Sequence, residues 1–395
     1  MKVKVLLLSA VALFSLATNH VQSQEPASYP SLVSAIRVEP PLEFCGEEVP
    51  IGVQEVRERL EKELLLSLWD RPQVILWLKR SRRYFPHIEE MLKENGMPDD
   101  LKYITIAESA LRPHAGSKKG AIGFWQFMKD TGRKYGLVIS EYTDERRNLF
   151  ASTRAAIRYF RHLHNLLGSW TLAAAAYNSG EEGVRAEMLE QQTDNYYQLY
   201  LPLETQRFVF RILSAKLILS DPDRYGFRLS ESDYYPPLEF DRIQIECSEE
   251  TPIRIIAEAG RTHFKMIKDL NPEIRGHYLA PGNHTLLIPR GASGGFQSRY
   301  RQLVNQWSGS RSERVYVVKK GDSLSSIADR FNVPLPVLII WNRLDLNAHI
   351  HPGDRLIVYR DDVPLTPTDT EEDEGETEAS EVRGQKSENR GQESE

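Results

Sequence analysis

The sequence predicts a multidomain, mainly α-helical protein that ends in small α+β modules, and three observations carry the prediction. Apolar residues recur at helical spacing from Val53 to Asn95, where Leu60, Leu64 and Leu68 lie four apart, and again from Leu149 to Leu167, where Ala155, Ala156, Tyr159 and Phe160 make one stripe. Residues 313–359 switch to a strand, helix, helix, strand pattern, with strands at Val315 to Val318 and Leu356 to Tyr359 and turns at Gly321-Asp322 and Pro352-Gly353-Asp354. Moving 71 residues towards the N-terminus finds an echo of this module. Ile327-Ala328 falls on Ile256-Ala257, Asn342 on Asn271 and Pro352-Gly353 on Pro281-Gly282, without a gap, which argues for an internal repeat over residues 246–290.

At 395 residues, 41% apolar and 27% charged, the chain is long enough for more than one domain. Residues 1–23 read as a signal peptide: Lys2 and Lys4 precede an apolar run from Val5 to Ala17 that is short for a membrane span, and Val21-Gln22-Ser23 offers a small-residue cleavage site. No cysteine follows that run, so no lipoprotein box is seen, and the expected location is the cell envelope, in the periplasm. In an exported chain the two cysteines, Cys45 and Cys247, are a disulfide candidate; the alternative is two free buried thiols. The tail over residues 360–395 reads as disordered, since from Asp361 it carries 13 acidic and 3 basic residues and almost nothing apolar. The remaining chain is then only +4, too small a balance to suggest nucleic-acid binding.

Residues 40–95 form an N-terminal helical segment, broken at Asp70 to Pro72, that packs on the region after residue 95. Its Arg80, Arg82 and Arg83 sit beside Tyr84 and Phe85, a cluster that could touch an anionic polymer or simply be a solvated basic face. After Pro98, Asp99 and Asp100 open a helix that Pro113 should stop. Leu101, Ile104, Glu108 and Leu111 share one face of it, so Glu108 stands where a core leucine is expected. A carboxylate there is either salt-bridged or kept protonated by desolvation, which is how an acid becomes available near neutral pH. Beyond it, Gly120 and Gly123 bring backbone close to something bulky, and Phe124, Trp125, Gln126, Phe127 and Met128 offer aromatics and an amide suited to the faces and N-acetyl groups of a sugar.

The ordered set Glu108-Ser109, Ser117, Gly120-Ala121, Gly123, Trp125-Gln126 and Ala176-Tyr177-Asn178 resembles the lytic transglycosylase family, with its goose-lysozyme-like fold, and within it the membrane-bound lytic murein transglycosylase D group. The resemblance makes residues 96–225 a lysozyme-like catalytic domain. It implies Glu108 as catalytic acid and base. It also implies that Ser117, Gln126, Met128, Tyr177, Asn178 and Glu204 bind substrate, Glu204 through a Leu-Pro-x-Glu-Thr block in which Phe208-Val209-Phe210 departs from the usual sequence. Residues 313–359 resemble a LysM domain, which implies glycan contacts from Gly321, Asp322, Ser323, Leu324, Ile350 and Gly353. The 246–290 repeat is then a degenerate LysM-like module, departing where Glu250-Thr251 replace Gly321-Asp322, and 291–312 reads as a Gly, Ser and Gln tether.

Glycoside hydrolysis usually takes two carboxylates, and the local motif offers one. A lytic transglycosylase needs one only, because the C6 hydroxyl of the muramyl sugar replaces water as nucleophile. The expected activity is therefore non-hydrolytic cleavage of the MurNAc-GlcNAc bond of peptidoglycan strands, giving 1,6-anhydro ends. Two alternatives are a hydrolytic muramidase, for which Asp144 or Glu145 are the nearest second acids, and a noncatalytic wall-binding protein. No cofactor or metal is implied: the ten histidines are scattered, His162 and His164 fall on different helix faces, and His349 and His351 read as surface residues. The expected partners are glycan strands; cell-envelope protein partners are unknown.

Overall fold

The computed structural model describes residues 30–309, 315–345 and 348–358, so the readings made of the leader and the acidic tail lie outside the described residues. The chain divides into two compact units, the first ending at Gln306 and the second beginning at Trp307. No helix among the described residues is long and apolar enough to cross a membrane.

The first unit opens with α1 (Leu32–Ala35) and a hairpin of β1 (Glu43–Phe44) and β2 (Glu47–Glu48). Helices α2 (Gln54–Trp69) and α3 (Arg71–Glu94) part at Asp70, whose carboxylate caps α3 by accepting from the Gln73 N–H, while Pro72 occupies the first turn, where its missing donor costs nothing. Then come a 3₁₀ turn (Asp99–Tyr103), α4 (Ile104–Ser109), α5 (Lys129–Lys134), α6 (Leu149–Leu167), α7 (Trp170–Ser179), α8 (Glu181–Gln191) and α9 (Leu203–Ser220). One apolar core runs from Ala35 to Phe227, so the N-terminal helices and the region after residue 96 share a single interior. Helix α7 sits at its centre: Ala173 to Ala176 are wholly buried, and their small side chains let α6 and α9 pack against it closely. Glu63, buried on α2, pairs with Arg207 of α9 at 2.6 Å and ties the first helix pair to the last helix.

The helix expected to run to Pro113 is shorter. It ends at Ser109 because Ala110 and Leu111 both take left-handed backbone conformations, with the Ala110 and Leu111 N–H groups closing back onto Ile106 and Thr105. Leu111 nonetheless reaches the core.

The unit continues with β3 (Phe240–Cys247), β4 (Thr251–Pro252), α10 (Ile253–Ala259), α11 (Phe264–Leu270), β5 (Tyr278–Leu279) and β6 (Gly282–Pro289). Strands β3 and β6 pair antiparallel from Phe240 opposite Pro289 to Cys247 opposite Gly282. The second unit holds β7 (Val315–Val317), α13 (Leu324–Arg330), α14 (Leu335–Asn342) and β8 (Arg355–Ile357) around a small core of its own. Helix α10 and α13 match end to end at the 71-residue spacing, and α11 starts 71 residues before α14. The two asparagines of the repeat do the same work. Asn342 donates to the carbonyls of Leu338 and Ile357 and accepts from the Ile357 N–H; Asn271 donates to Ile267 and Leu287 and accepts from the Leu287 N–H at 2.8 Å.

Two expectations are corrected. The stretch read as a tether contains α12 (Phe296–Gly309), because its scattered Phe296 and Tyr300 bury against the first module and Gln297 donates to the Gln244 carbonyl at 2.6 Å. The cysteines are both free thiols: Cys45 lies in the β1–β2 turn, its N–H on Asp100 at 2.7 Å, and Cys247 ends β3 with its sulfur on the Tyr300 hydroxyl at 3.4 Å. The first module is docked, not loose. The Asp144 N–H donates to the Glu273 carbonyl at 2.8 Å, and the Arg275 N–H to the Tyr142 carbonyl at 2.7 Å.

Asn271 is wholly buried, so Asn271→Ala takes the side-chain partner from both the N–H and the carbonyl of Leu287, while the Ile267 carbonyl keeps the backbone N–H of residue 271. A loss of about 2–4 kcal/mol in denaturant unfolding is expected.

Candidate active site

A cleft of about 750 Å³ opens where the end of α4, the loop over residues 117–128, the end of α7 and the start of α9 meet. All seven residues proposed for the site from the sequence line it: Glu108, Ser117, Gln126, Met128, Tyr177, Asn178 and Glu204.

Glu108 occupies the last turn of α4, half-buried, and makes no hydrogen bond or ion pair among the described residues. Burial pushes its carboxyl up to about 8; the Arg211 charge opposes the rise and Glu204 adds to it. It is therefore mostly protonated at neutral pH. Ser109 beside it donates towards the carbonyls of Thr105 (3.0 Å) and Phe124 (2.8 Å), pinning the helix end to the loop.

The loop is shaped by a buried ion pair. Arg146 grips Asp144 through two bonds of 2.8 Å and uses its third nitrogen on the carbonyls of Gly120 (3.0 Å) and Phe127 (3.2 Å). Burial opposes the charge on Asp144, yet the guanidinium holds its carboxyl below the usual range. Gly123, at φ +89°, passes so close that a Cβ would lie 1.8 Å from the Arg146 carbonyl oxygen. Two bridges, Gly116 to Ile122 and Ile122 to Phe127, then fold the loop into a ledge. Gln126, at φ +49°, donates its amide to the Ala115 (3.1 Å) and Gly123 (2.9 Å) carbonyls, which leaves its side-chain oxygen as an acceptor. Ser117 accepts from the Ala121 N–H at 3.1 Å.

The aromatics here correct the reading of the sequence. Phe124, Trp125 and Phe127 are buried, and Trp125 turns inward to donate to Thr153 at 3.0 Å, because this loop must anchor itself in the core to hold its shape. The exposed apolar surface at the ledge is Met128. Across the cleft Tyr177 stacks on Phe160 with centroids 4.5 Å apart and donates to the Trp125 carbonyl at 2.6 Å. Burial and the neighbouring Glu108 both raise its hydroxyl well above the ordinary value, so it stays protonated. Asn178 accepts from Thr205 at 3.2 Å.

Three glutamates line the cleft, and two are engaged: Glu204 pairs with Arg211, and Glu181 accepts from Tyr159 at 2.9 Å and faces Lys134 at 3.4 Å. Asp144 and Glu145 are not second acids of this site. Asp144 is consumed by Arg146, and Glu145 accepts from the Val138 N–H at 2.7 Å. Tyr159, Glu181 and Thr205 line the cleft without having been singled out. Thr205 had a signal, being next to Glu204, whereas Tyr159 reads as one of a buried stripe. No group of three or more possible metal ligands occurs among the described residues, and His164 is occupied in stacking on Trp170.

In the second unit Gly321 (φ +93°) and Gly353 (φ +99°) form the expected turns. Asp322 accepts from Tyr316 and from the Lys319 N–H, and Ser323 caps α13, so both side chains hold the loop itself. Leu324 and Ile350 pack against the module core.

Residues 85–199 match the family model described as a Transglycosylase SLT domain, and residues 316–358 match the LysM domain. The mainly helical fold is thus a lysozyme-like transglycosylase domain followed by LysM architecture. Curated relatives include membrane-bound lytic murein transglycosylase D of Escherichia coli K12 and of the Escherichia coli strain O6:H1. Each is 31% identical over 333 residues, which span 80% of this chain and 72% of the relative. A solved structure of an inactive mutant of the lytic transglycosylase Slt from Pseudomonas aeruginosa aligns with a TM-score of 0.27 and 22% identity over 38% of this chain and 26% of that one, an overlap too small to bear on the fold. The chain belongs to the membrane-bound lytic murein transglycosylase D family.

Two outcomes are expected from the site's construction. Gly123→Ala meets both the left-handed backbone and the Arg146 carbonyl, and a loss of about 3 kcal/mol or more in unfolding free energy is expected. Because the Glu108 carboxyl rises from an ordinary 4.5 to about 8 on folding, the folded state holds a proton that the unfolded chain has released between those values, and stability falls as pH rises through that window. Glu108→Gln removes this dependence. Its melting temperature should exceed that of the wild type by a margin that widens from pH 5 to pH 8 in calorimetry.

Proposed function

We propose that this enzyme, a peptidoglycan lytic transglycosylase, cuts the MurNAc-GlcNAc β-1,4 bond without water and leaves 1,6-anhydro-MurNAc ends. The observation that carries the reading is the state of the three cleft glutamates: Glu108 alone is unpartnered and held protonated, while Glu181 and Glu204 are engaged. Protonated Glu108 gives its proton to the glycosidic oxygen as the C1–O bond breaks. The substrate's 2-acetamido group stabilises the cationic C1. The Glu108 carboxylate then takes the proton of the C6 hydroxyl as that oxygen bonds to C1, which restores the acid and closes the anhydro ring. Tyr177 and Asn178 position the sugar, the Ser117 hydroxyl and Gln126 oxygen meet its acetamido or hydroxyl groups, and Met128 packs on the ring face.

The LysM module supplies affinity for the polymer through the loops at Gly321 to Leu324 and Ile350 to Gly353, raising the local concentration of glycan at the cleft. Such a substrate places the enzyme in the cell envelope, in agreement with the sequence of residues 1–23.

Mass spectrometry of soluble products from purified peptidoglycan tests the reaction. Anhydromuramyl ends are expected from the wild type and a loss of at least about a thousandfold in rate from Glu108→Gln. Reducing muramyl ends would overturn the reading in favour of hydrolysis, and equal activity of the two proteins would remove Glu108 from the mechanism. On the alkaline side kcat/KM should fall about tenfold per pH unit above about 8, as the acid is lost.

A further inference from the structure

A second cavity, about 340 Å³, is walled by Arg80, Arg83 and Tyr84 of α3, Arg112 and His114 of the loop after Glu108, and Tyr235. No carboxylate lines it. Arg82, on the same helix, turns away and pairs with Glu231 at 3.1 Å. The three cavity arginines are instead fixed by neutral acceptors: Arg80 on the Ala110 carbonyl (3.1 Å), Arg83 on the Pro236 carbonyl (3.2 Å) and Arg112 on the Ser109 carbonyl (3.1 Å). Each guanidinium has five donors, so most remain unspent. Burial and the charge of Arg112 both draw Arg80 below its ordinary pKa, the mark of cations crowded without a counter-charge. A merely solvated basic face does not hold two half-buried guanidinium groups in place around a concavity, and Arg83 is further held over the Tyr235 ring at 4.9 Å.

The same short run of chain walls both cavities. Ala115 lines the basic pocket and receives the Gln126 amide of the cleft on its carbonyl; Arg80 holds the carbonyl of Ala110, two residues past Glu108. We propose that this pocket binds the carboxylates of the peptide that a muramyl residue carries, so that the enzyme reads stem-bearing glycan in preference to bare glycan. Planar guanidinium forks suit carboxylates, and a pocket of this size admits a peptide end but no duplex or extended polyanion. The inference rests on the cleft holding the glycan as proposed above.

Binding by calorimetry in the Glu108→Gln background separates the two readings. The ligands are a soluble glycan fragment with its peptides and the same fragment after amidase removal of them. The parent is expected to bind the peptide-bearing fragment about tenfold tighter. Arg83→Gln should abolish most of that preference, and Arg83→Lys should restore part of it. A parent that binds both fragments equally, or a preference that survives Arg83→Gln, overturns the pocket. Binding of neither fragment overturns the cleft reading and this one with it. Should Arg83→Gln not fold, the exposed Arg112→Gln reads the same preference.

Discussion

The buried pair of Arg146 and Asp144 is the interaction on which the site depends. A guanidinium with nearly all of its surface removed from water is tolerable only if its nitrogens are engaged, and here all three are, on Asp144 and on two carbonyls of the ledge. Removing one partner of such a pair typically costs about 3–5 kcal/mol, because the other charge stays behind unpaired. The ledge consequently has one shape. Gly123 is a glycine because the backbone that carries Arg146 lies where its side chain would be. The backbone N–H of Asp144 extends the same connection outward, since it holds the Glu273 carbonyl of the first repeat module. The loop that presents Ser117 and Gln126 and the seam with the neighbouring module therefore share an anchor.

Against that satisfied network, Glu108 stands out as unsatisfied. Folding would favour a leucine at its position, as Leu101, Ile104 and Leu111 around it indicate, or else a carboxylate with a cation beside it. Arg211 is engaged by Glu204 and acts on Glu108 only through space. The fold thus spends its available cation on the rim and leaves the floor acid uncharged at neutral pH. A general acid requires that distribution, and it is also a stability penalty that the large α6–α7–α9 core can bear.

Much of the molecule was legible in the sequence because it follows from periodicity and spacing. The helix pair broken at Asp70 and the repeat at 71 residues are read directly, and the misplacement of Glu108 among leucines is visible in the residue pattern alone. What was not legible depends on tertiary competition. Trp125 and its neighbours look like a sugar platform until Thr153 offers the indole a buried acceptor. Asp144 looks like a spare acid until Arg146 takes it. Residues 291–312 look like a tether by composition, yet Phe296 and Tyr300 find an apolar surface on the first module, and the helix forms around those two contacts. Cys45 and Cys247 count as a pair in one dimension only.

The two repeat modules differ most where their loops diverge, and the difference has a mechanical reading. In the second module Asp322 accepts from the Tyr316 hydroxyl and the Lys319 N–H, which fixes the first loop as a turn on its own strand. In the first module the equivalent of Asp322 is Thr251 and the equivalent of Ile350 is Leu279, and these two residues face each other as partners in the β4–β5 pairing, both buried. The loops of the first module are therefore zipped to each other, and the turn between α11 and β5, from Glu273 to Arg275, is bonded to residues 142–144. The seam and the ledge thus meet at Asp144, whose backbone N–H holds the module while its carboxylate holds Arg146.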